Sequence, residues 1–250
     1  MIKPDSILRR LPSGLDRKQA LFIDGIRHSG EIASFAYERL KRVLTQIASE
    51  ETPQSERGAL FTPAFLDAWA VVDAIDRFRG LYKLFPGAQL KEGDKSDEKA
   101  RDTLQKIRDV RNVTDHMAQL MDHILSRKSA ALGMLSWCTM VSVEQGRCLS
   151  CSIIPGTLGR QSAPTVNPAG RDIELPTGLI SLSAGEHSAD LSDAMSVMTS
   201  RVKDIETQIE KFVNEHKLDE NQAGADLFIS LLISFDTSSE AKPRQDHTDA

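Results

Sequence analysis

Three cysteines in 250 residues are too few for a disulfide framework. Cys148 and Cys151 form a single Cys-x-x-Cys spacing, and the second ligand pair that a structural zinc site needs is lacking. Basic charge is short as well: 31 Lys and Arg against 36 Asp and Glu leave a net charge of −5. Proteins that hold nucleic acid without regard to its sequence are usually basic, so any RNA contact has to be local. Long apolar runs are missing. The longest, "LFISLLISF" at 227–235, is too short to cross a bilayer. The opening "MIKPDSILRRLPSGLD" contains no apolar stretch of signal length. The setting expected is a reducing cytoplasm, without a membrane partner. There is no Walker loop and no Gly-x-Gly-x-x-Gly. "SAGEHSAD" at 183–190 gathers Ser, Glu, His and Asp, but no strand–turn–helix elbow presents a serine.

What the chain does contain is helical periodicity. Apolar residues from Leu21 to Ile47 fall at helical spacing, which predicts one long helix from Asp16 to about Ser49, with a bend near Ser29-Gly30. Thr62-Pro63 puts proline in the first turn of a second helix that runs to about Phe85. A third helix is predicted from Ser96, its cap, to Arg127. The texture then changes. β-branched and small residues around Gln145-Gly146 predict a hairpin, 133–143 paired with 147–154, with Val143 opposite Cys148. That register puts Trp137, Val141 and Ile154 on one face and Met140, Leu149 and Ile153 on the other. It also sets Cys151 diagonal to Cys138, with Cys148 on the far side, so the thiols read as structural. One or two more short strands are expected before a helix at Leu191–His216, capped by Asp190 or Ser188. The apolar segment 225–235 is ambiguous between helix and strand, and 236–250 reads as a disordered tail. The division expected is 1–130 for the first helices, 131–189 for the β insertion, and 190–235 for the C-terminal helices that complete the bundle.

Within the third helix, "RDVRNVTDHMAQLMDHIL" at 108–125 carries an unusual polar set. Ile107, Val110, Val113, Met117, Leu120, Met121 and Ile124 form its apolar stripe. Asp109, Asn112, His116, Gln119 and His123 line one edge. Arg111 lies on the other edge, about 140° round from His116 and about 7.5 Å along the axis. A helix boundary would account for this pattern, with Arg111 pairing Asp115 and Arg108 pairing Asn112. A site would account for it too. A guanidinium matches phosphate with a fixed, permanent charge, and an imidazole exchanges protons near neutrality. Together they suffice to cleave RNA without a metal, and Asn112 is placed to orient His116 or hold substrate. His116 and His123 stand about 10 Å apart along the axis, too far to share an ion. No metal or cofactor is expected. On the second helix, Asp76 falls within a face built by Phe65, Trp69 and Val72, with Asp73 at its edge. A carboxylate there needs a partner. Two partnerships are open: Arg77 with Asp73 and Arg79 with Asp76 inside the helix, or Asp73 or Asp76 with Arg111 across a helix–helix interface.

"RNVTDH" at 111–116 resembles the Arg-(polar)-x(3–5)-His signature of the HEPN superfamily, the higher-eukaryote and prokaryote nucleotide-binding domains. Arg111 matches its arginine, Asn112 its polar neighbour and His116 its histidine, and Arg111 is the only arginine here with a histidine four to six residues beyond it. "AFLDAWAVVDAIDRFRGLYKLFPG" at 64–87 is similar to the helix preceding that signature in bacterial members. The resemblance covers roughly residues 15–127. It implies a mainly α fold, a HEPN-like helical bundle, here with a small antiparallel β insertion that makes it α+β overall. It also implies a homodimer and one of two functions. The first is a metal-independent ribonuclease of toxin–antitoxin or anti-phage systems, with Arg111 and His116 catalytic, Asn112, Asp73 and Asp76 supporting, RNA as substrate and an antitoxin or defence protein as partner. The second is a catalytically silent module that binds a nucleotide, RNA or protein.

Overall fold

A computed structural model describes residues 2–85, 94–126, 130–156, 165–218 and 226–233. The first long helix, α1, spans Arg17–Ala48, and the Asp16 carboxylate accepts from the Lys18 and Gln19 amides at its start. It runs unbroken through Ser29 and Gly30, both of them buried. A one-turn helix, α2, covers Gln54–Arg57, and α3 follows at Phe61–Leu84. Arg39 of α1 meets Asp67 of α3, and Gly25 meets Leu81, so the two helices run in opposite directions. A Cβ on Gly25 would come within 2.7 Å of Leu81 Cδ1, so the missing side chain lets the helices close up.

The third predicted helix is two. Helix α4 spans Lys95–Asp115, capped by Asp94 rather than Ser96, and α5 spans Met121–Ser126. At the junction the Met117 amide turns to the Thr114 carbonyl and the Gln119 amide to His116, three residues back instead of four. The ladder tightens, the helix ends, and His116 becomes its terminating residue at φ −114°, ψ 20°. Ile124 nevertheless reaches the core while Met121 stays exposed.

Four strands follow: β1 at Met134–Ser142, β2 at Arg147–Ile153, β3 at Thr177–Ala184 and β4 at His187–Asp190. They form one antiparallel sheet in the order β2-β1-β3-β4. The hairpin is where expected, but its register is not. Met140, not Val143, pairs with Cys148, and an irregularity between Met140 and Ser142 brings Ser142 opposite Arg147. An odd shift of register exchanges faces. Leu149, Cys151 and Ile153 therefore share the face of Trp137. Cys148, not Cys151, is diagonal to Cys138 on the opposite face. Burial and its neighbour Cys148 push the Cys138 thiol up to about 11, so it is no nucleophile at neutral pH.

A last helix, α6, spans Leu191–His216 and is capped by Asp190, whose carboxylate accepts from the Asp193 amide. It is the only C-terminal helix among the described residues. Residues 226–233 form neither helix nor strand, and Leu227–Ile229 and Leu231–Ile233 stand in solvent. Ser230 is the one polar residue between Leu227 and Ile233, too little to make a polar face from which a period could be read. The tail expected at 236–250 lies outside the described residues.

One core joins helices and sheet. Leu135, Trp137, Ile180 and Leu182 of the strands belong to the same apolar cluster as Leu40, Ile75, Ile107 and Met198 of the helices. A line of hydrogen bonds pins the sheet to α1: Trp137 Nε1 donates to Thr139, and Thr177 Oγ1 lies 2.8 Å from the hydroxyls of both Thr139 and Thr45. The stretch from Gln54 to Leu84 is long and apolar enough to cross a membrane by length and composition. Its Phe65, Val72, Ile75 and Phe78 are core residues here.

Candidate functional site

Helices α3 and α4 pack so that Asp73 and Asp76 face Arg108 and Arg111. Phe65, Val72 and Ile75 on one helix and Leu104, Ile107 and Val110 on the other are buried. This fixes which side of each helix is turned inward, and the polar residues come together at the margin. Asp76 is the centre. Its Oδ1 accepts from Arg79 Nε at 2.9 Å, and its Oδ2 accepts from Arg108 Nη1 at 2.9 Å and Arg111 Nη1 at 3.1 Å. Asp73 accepts from Arg77 Nη2 at 2.6 Å and from Arg111 Nε at 2.8 Å. Asp115 Oδ2 lies 3.5 Å from Arg111 Nη1. Both partnerships open in the sequence are therefore present together, the pairs inside α3 and the bridges across to α4.

The electrostatics follow from the count of partners. The Asp76 side chain is 6% exposed, and burial alone would raise its pKa. The hydrogen bonds from Arg79 and Arg108 outweigh burial and hold its carboxyl below the ordinary range. Arg111 is held more firmly charged, first by its bond to Asp73, against the cost of partial burial. Four arginines share three aspartates, so the patch keeps about one unit of positive charge in a chain of negative balance. Arg77 is well exposed and Arg108 about a third exposed.

His116 closes α4 five residues beyond Arg111. Its amide reaches back to the carbonyls of Asn112 and Thr114, and its ring is exposed. Nδ1 lies 3.0 Å from Gln119 Oε1. That oxygen can only accept, so Nδ1 is the donor in this pair. The residue that orients the imidazole is therefore Gln119, while Asn112 supplies a backbone carbonyl. The His116 amide still bonds back four residues to Asn112, so the divergence from Arg111 that helical spacing implies holds up to this residue. Arg108 binds Asp76 rather than Asn112. Its spacing of three from Arg111 was the available signal, since residues three apart share a face. The side chain of His123 lies outside the described residues.

Among the described residues no three His, Cys, Asp or Glu side chains are grouped to hold an ion. The chemistry on offer is that of guanidinium, carboxylate and imidazole. Compared with models of protein families, with curated proteins and with solved structures, the chain matches none.

Proposed function

We propose that the chain is a metal-independent endoribonuclease of HEPN type, with Arg111 and His116 as its catalytic residues. One observation carries the reading. Asp73 and Asp76 fix Arg111 across the α3/α4 interface, and the same helix ends in an exposed histidine whose Nδ1 is paired with Gln119. In the proposed reaction the imidazole takes the proton of a ribose 2′-hydroxyl. The 2′-oxygen attacks phosphorus, the bond to the 5′-oxygen breaks, and a proton returns to that oxygen. The products are a 2′,3′-cyclic phosphate and a 5′-hydroxyl. Arg111 steadies the charge on the non-bridging oxygens, with Arg108 beside it. The preorganised carboxylates keep the guanidinium plane fixed while its outer face meets phosphate. Bacterial defence or stress is the proposed setting, with an antitoxin-like protein as restraint.

The second reading, a silent binding module, is favoured by a different fact. Arg111 already spends Nε and Nη1 on aspartates, and a phosphate has to share it with them.

The first reading places Arg111 of one copy near His116 of its mate in a two-fold dimer. Arg111→Ala and His116→Ala chains, unfolded together and refolded as a mixture, test it. Each alone is expected to be inactive. Random pairing gives about half mixed dimers, each with one intact site, so about a quarter of wild-type activity should return. No recovery with subunit exchange confirmed means that both residues act from one chain. A strictly monomeric protein moves the weight to the binding module.

A further inference from the structure

Two features of the surface fit each other. The first is the segment 227–233, "LFISLLI". Its six large apolar side chains are between 69% and 99% exposed. Read as an extended strand, Leu227, Ile229, Leu231 and Ile233 form one wholly apolar row, and Phe228, Ser230 and Leu232 the other. The second is the side of β2 that no strand pairs among the described residues. This seven-residue strand is at the edge of the sheet. Beside it opens a pocket of about 470 Å³, with Ile47, Phe61, Leu149, Cys151 and Ile153 among its lining and Arg57 on its polar side. Segment and strand are equal in length, and the apolar row matches the face that Leu149, Cys151 and Ile153 present. An edge strand with an apolar margin is a template for one more strand.

The chain's own segment does not reach that edge. Asp226 is held at Arg27, with Oδ2 3.1 Å from Nη1 and Oδ1 2.6 Å from Nη2. Arg27 is buried in α1, and Asp24 and Glu31 add to its negative surroundings. The pocket is at the other end of the same helix, at Ile47, twenty residues or about 30 Å away. Leu227, next to the anchor, stays near Arg27. From Asp226 to Ile233 the chain spans at most about 25 Å, so it cannot lie along β2.

We propose that residues 227–233 of one copy add to the β2 edge of a second copy, with Leu227, Ile229, Leu231 and Ile233 turned toward the pocket, and that the exchange is reciprocal. A reciprocal exchange closes as a two-fold dimer and leaves neither edge nor segment exposed. This goes beyond the ribonuclease reading and does not depend on it. Cleavage and exchange are read out separately.

Two measurements test the proposal on the full-length chain. In the first, Ile229→Cys and Leu231→Cys variants are oxidised gently with oxidised glutathione and run on non-reducing gels. A covalent dimer should form with at least one of them, and Cys151→Ser should abolish it. Phe228→Cys and Leu232→Cys, on the outward row, should not link to Cys151. In the second, sedimentation equilibrium should find a dimer for the wild type. Ile229→Asp combined with Leu231→Asp should lower the association state below that of the wild type, whether or not the Arg111/His116 face also pairs copies, and leave the fold of one copy intact, since these side chains are exposed within it. Four results overturn the exchange: an association state that both aspartates leave unchanged, a link to Cys151 within one chain, no Cys151-dependent link at all, or a monomeric wild type, which, if it floats with phosphatidylcholine vesicles, assigns the segment to lipid.

Discussion

Replacing Asp76 with alanine should cost far more than replacing its neighbour Asp73, although both bind Arg111. Asp76 is nearly buried and accepts from Arg79, Arg108 and Arg111. Removing one member of a fully buried ion pair costs about 3–5 kcal/mol, because the partner keeps its charge and loses its solvent. The three arginines here retain side-chain exposures of 24%, 35% and 27%, so water recovers part of that loss. About 2–3 kcal/mol is expected, which in a chain of this size lowers Tm by about 4–12 °C. Asp73 is 40% exposed and has two arginine partners; its removal should cost about 0.5–1 kcal/mol, or about 1–4 °C. Thermal denaturation followed by circular dichroism at neutral pH and moderate salt gives both values. An Asp76→Ala shift under about 2 °C, or one no larger than that of Asp73→Ala, would refute Asp76 as the centre of the network. Asp76→Leu adds a check on sign, since a stabilised leucine variant would mean that desolvation outweighs the hydrogen bonds.

The remaining predictions concern pH, a buried acid and a glycine. Because the folded pKa of Asp76 is lowered, its contribution is full above the ordinary value of 3.8 and fades as pH falls through the lower one; the Tm gap between wild type and Asp76→Asn should shrink over that acid range, and a constant gap contradicts the assignment. Asp67 is the opposite case. Burial raises its pKa more than Arg39 and Arg42 lower it, and its Oδ2 lacks a hydrogen bond. Asp67→Asn should therefore raise Tm by about 1–3 °C at neutral pH, with the gain vanishing below the ordinary carboxylate range; a loss of stability at pH 7 counts against this. Gly133 has φ +80°, and a Cβ there would press on the Ser183 carbonyl; Gly133→Ala should cost about 2 kcal/mol or more by urea denaturation, and a neutral result would mean that the start of β1 gives way.

The helices were legible because each carried its own period and start signal. Asp16 and Asp190 sit as caps just before apolar stripes, and Pro63 marks the first turn of α3. Asp94 was missed as the cap of α4 because Ser96, two residues on, offers the same chemistry. The end of α4 left no trace, since "HMAQL" is made of acceptable helix formers and its break is a change of hydrogen-bond partner. Hairpin register failed for a related reason. Alternation gives the two faces of each strand but not their alignment, and the irregularity at Val141 lies outside the pattern. At the site, the side-chain types on α3 and α4 suggested which charges would meet. That three guanidinium groups share Asp76 depends on how the two helices are turned.

The most direct test of the account is the end group left on a cleaved RNA. A labelled single-stranded oligonucleotide is incubated with the purified chain in excess chelator, and the products are weighed by mass spectrometry. The account predicts 2′,3′-cyclic or 3′-phosphate ends with the wild type, and intact RNA with Arg111→Ala and with His116→Ala. Cleavage that stops with chelator and returns with zinc or magnesium, or that persists in the His116→Ala chain, would contradict it.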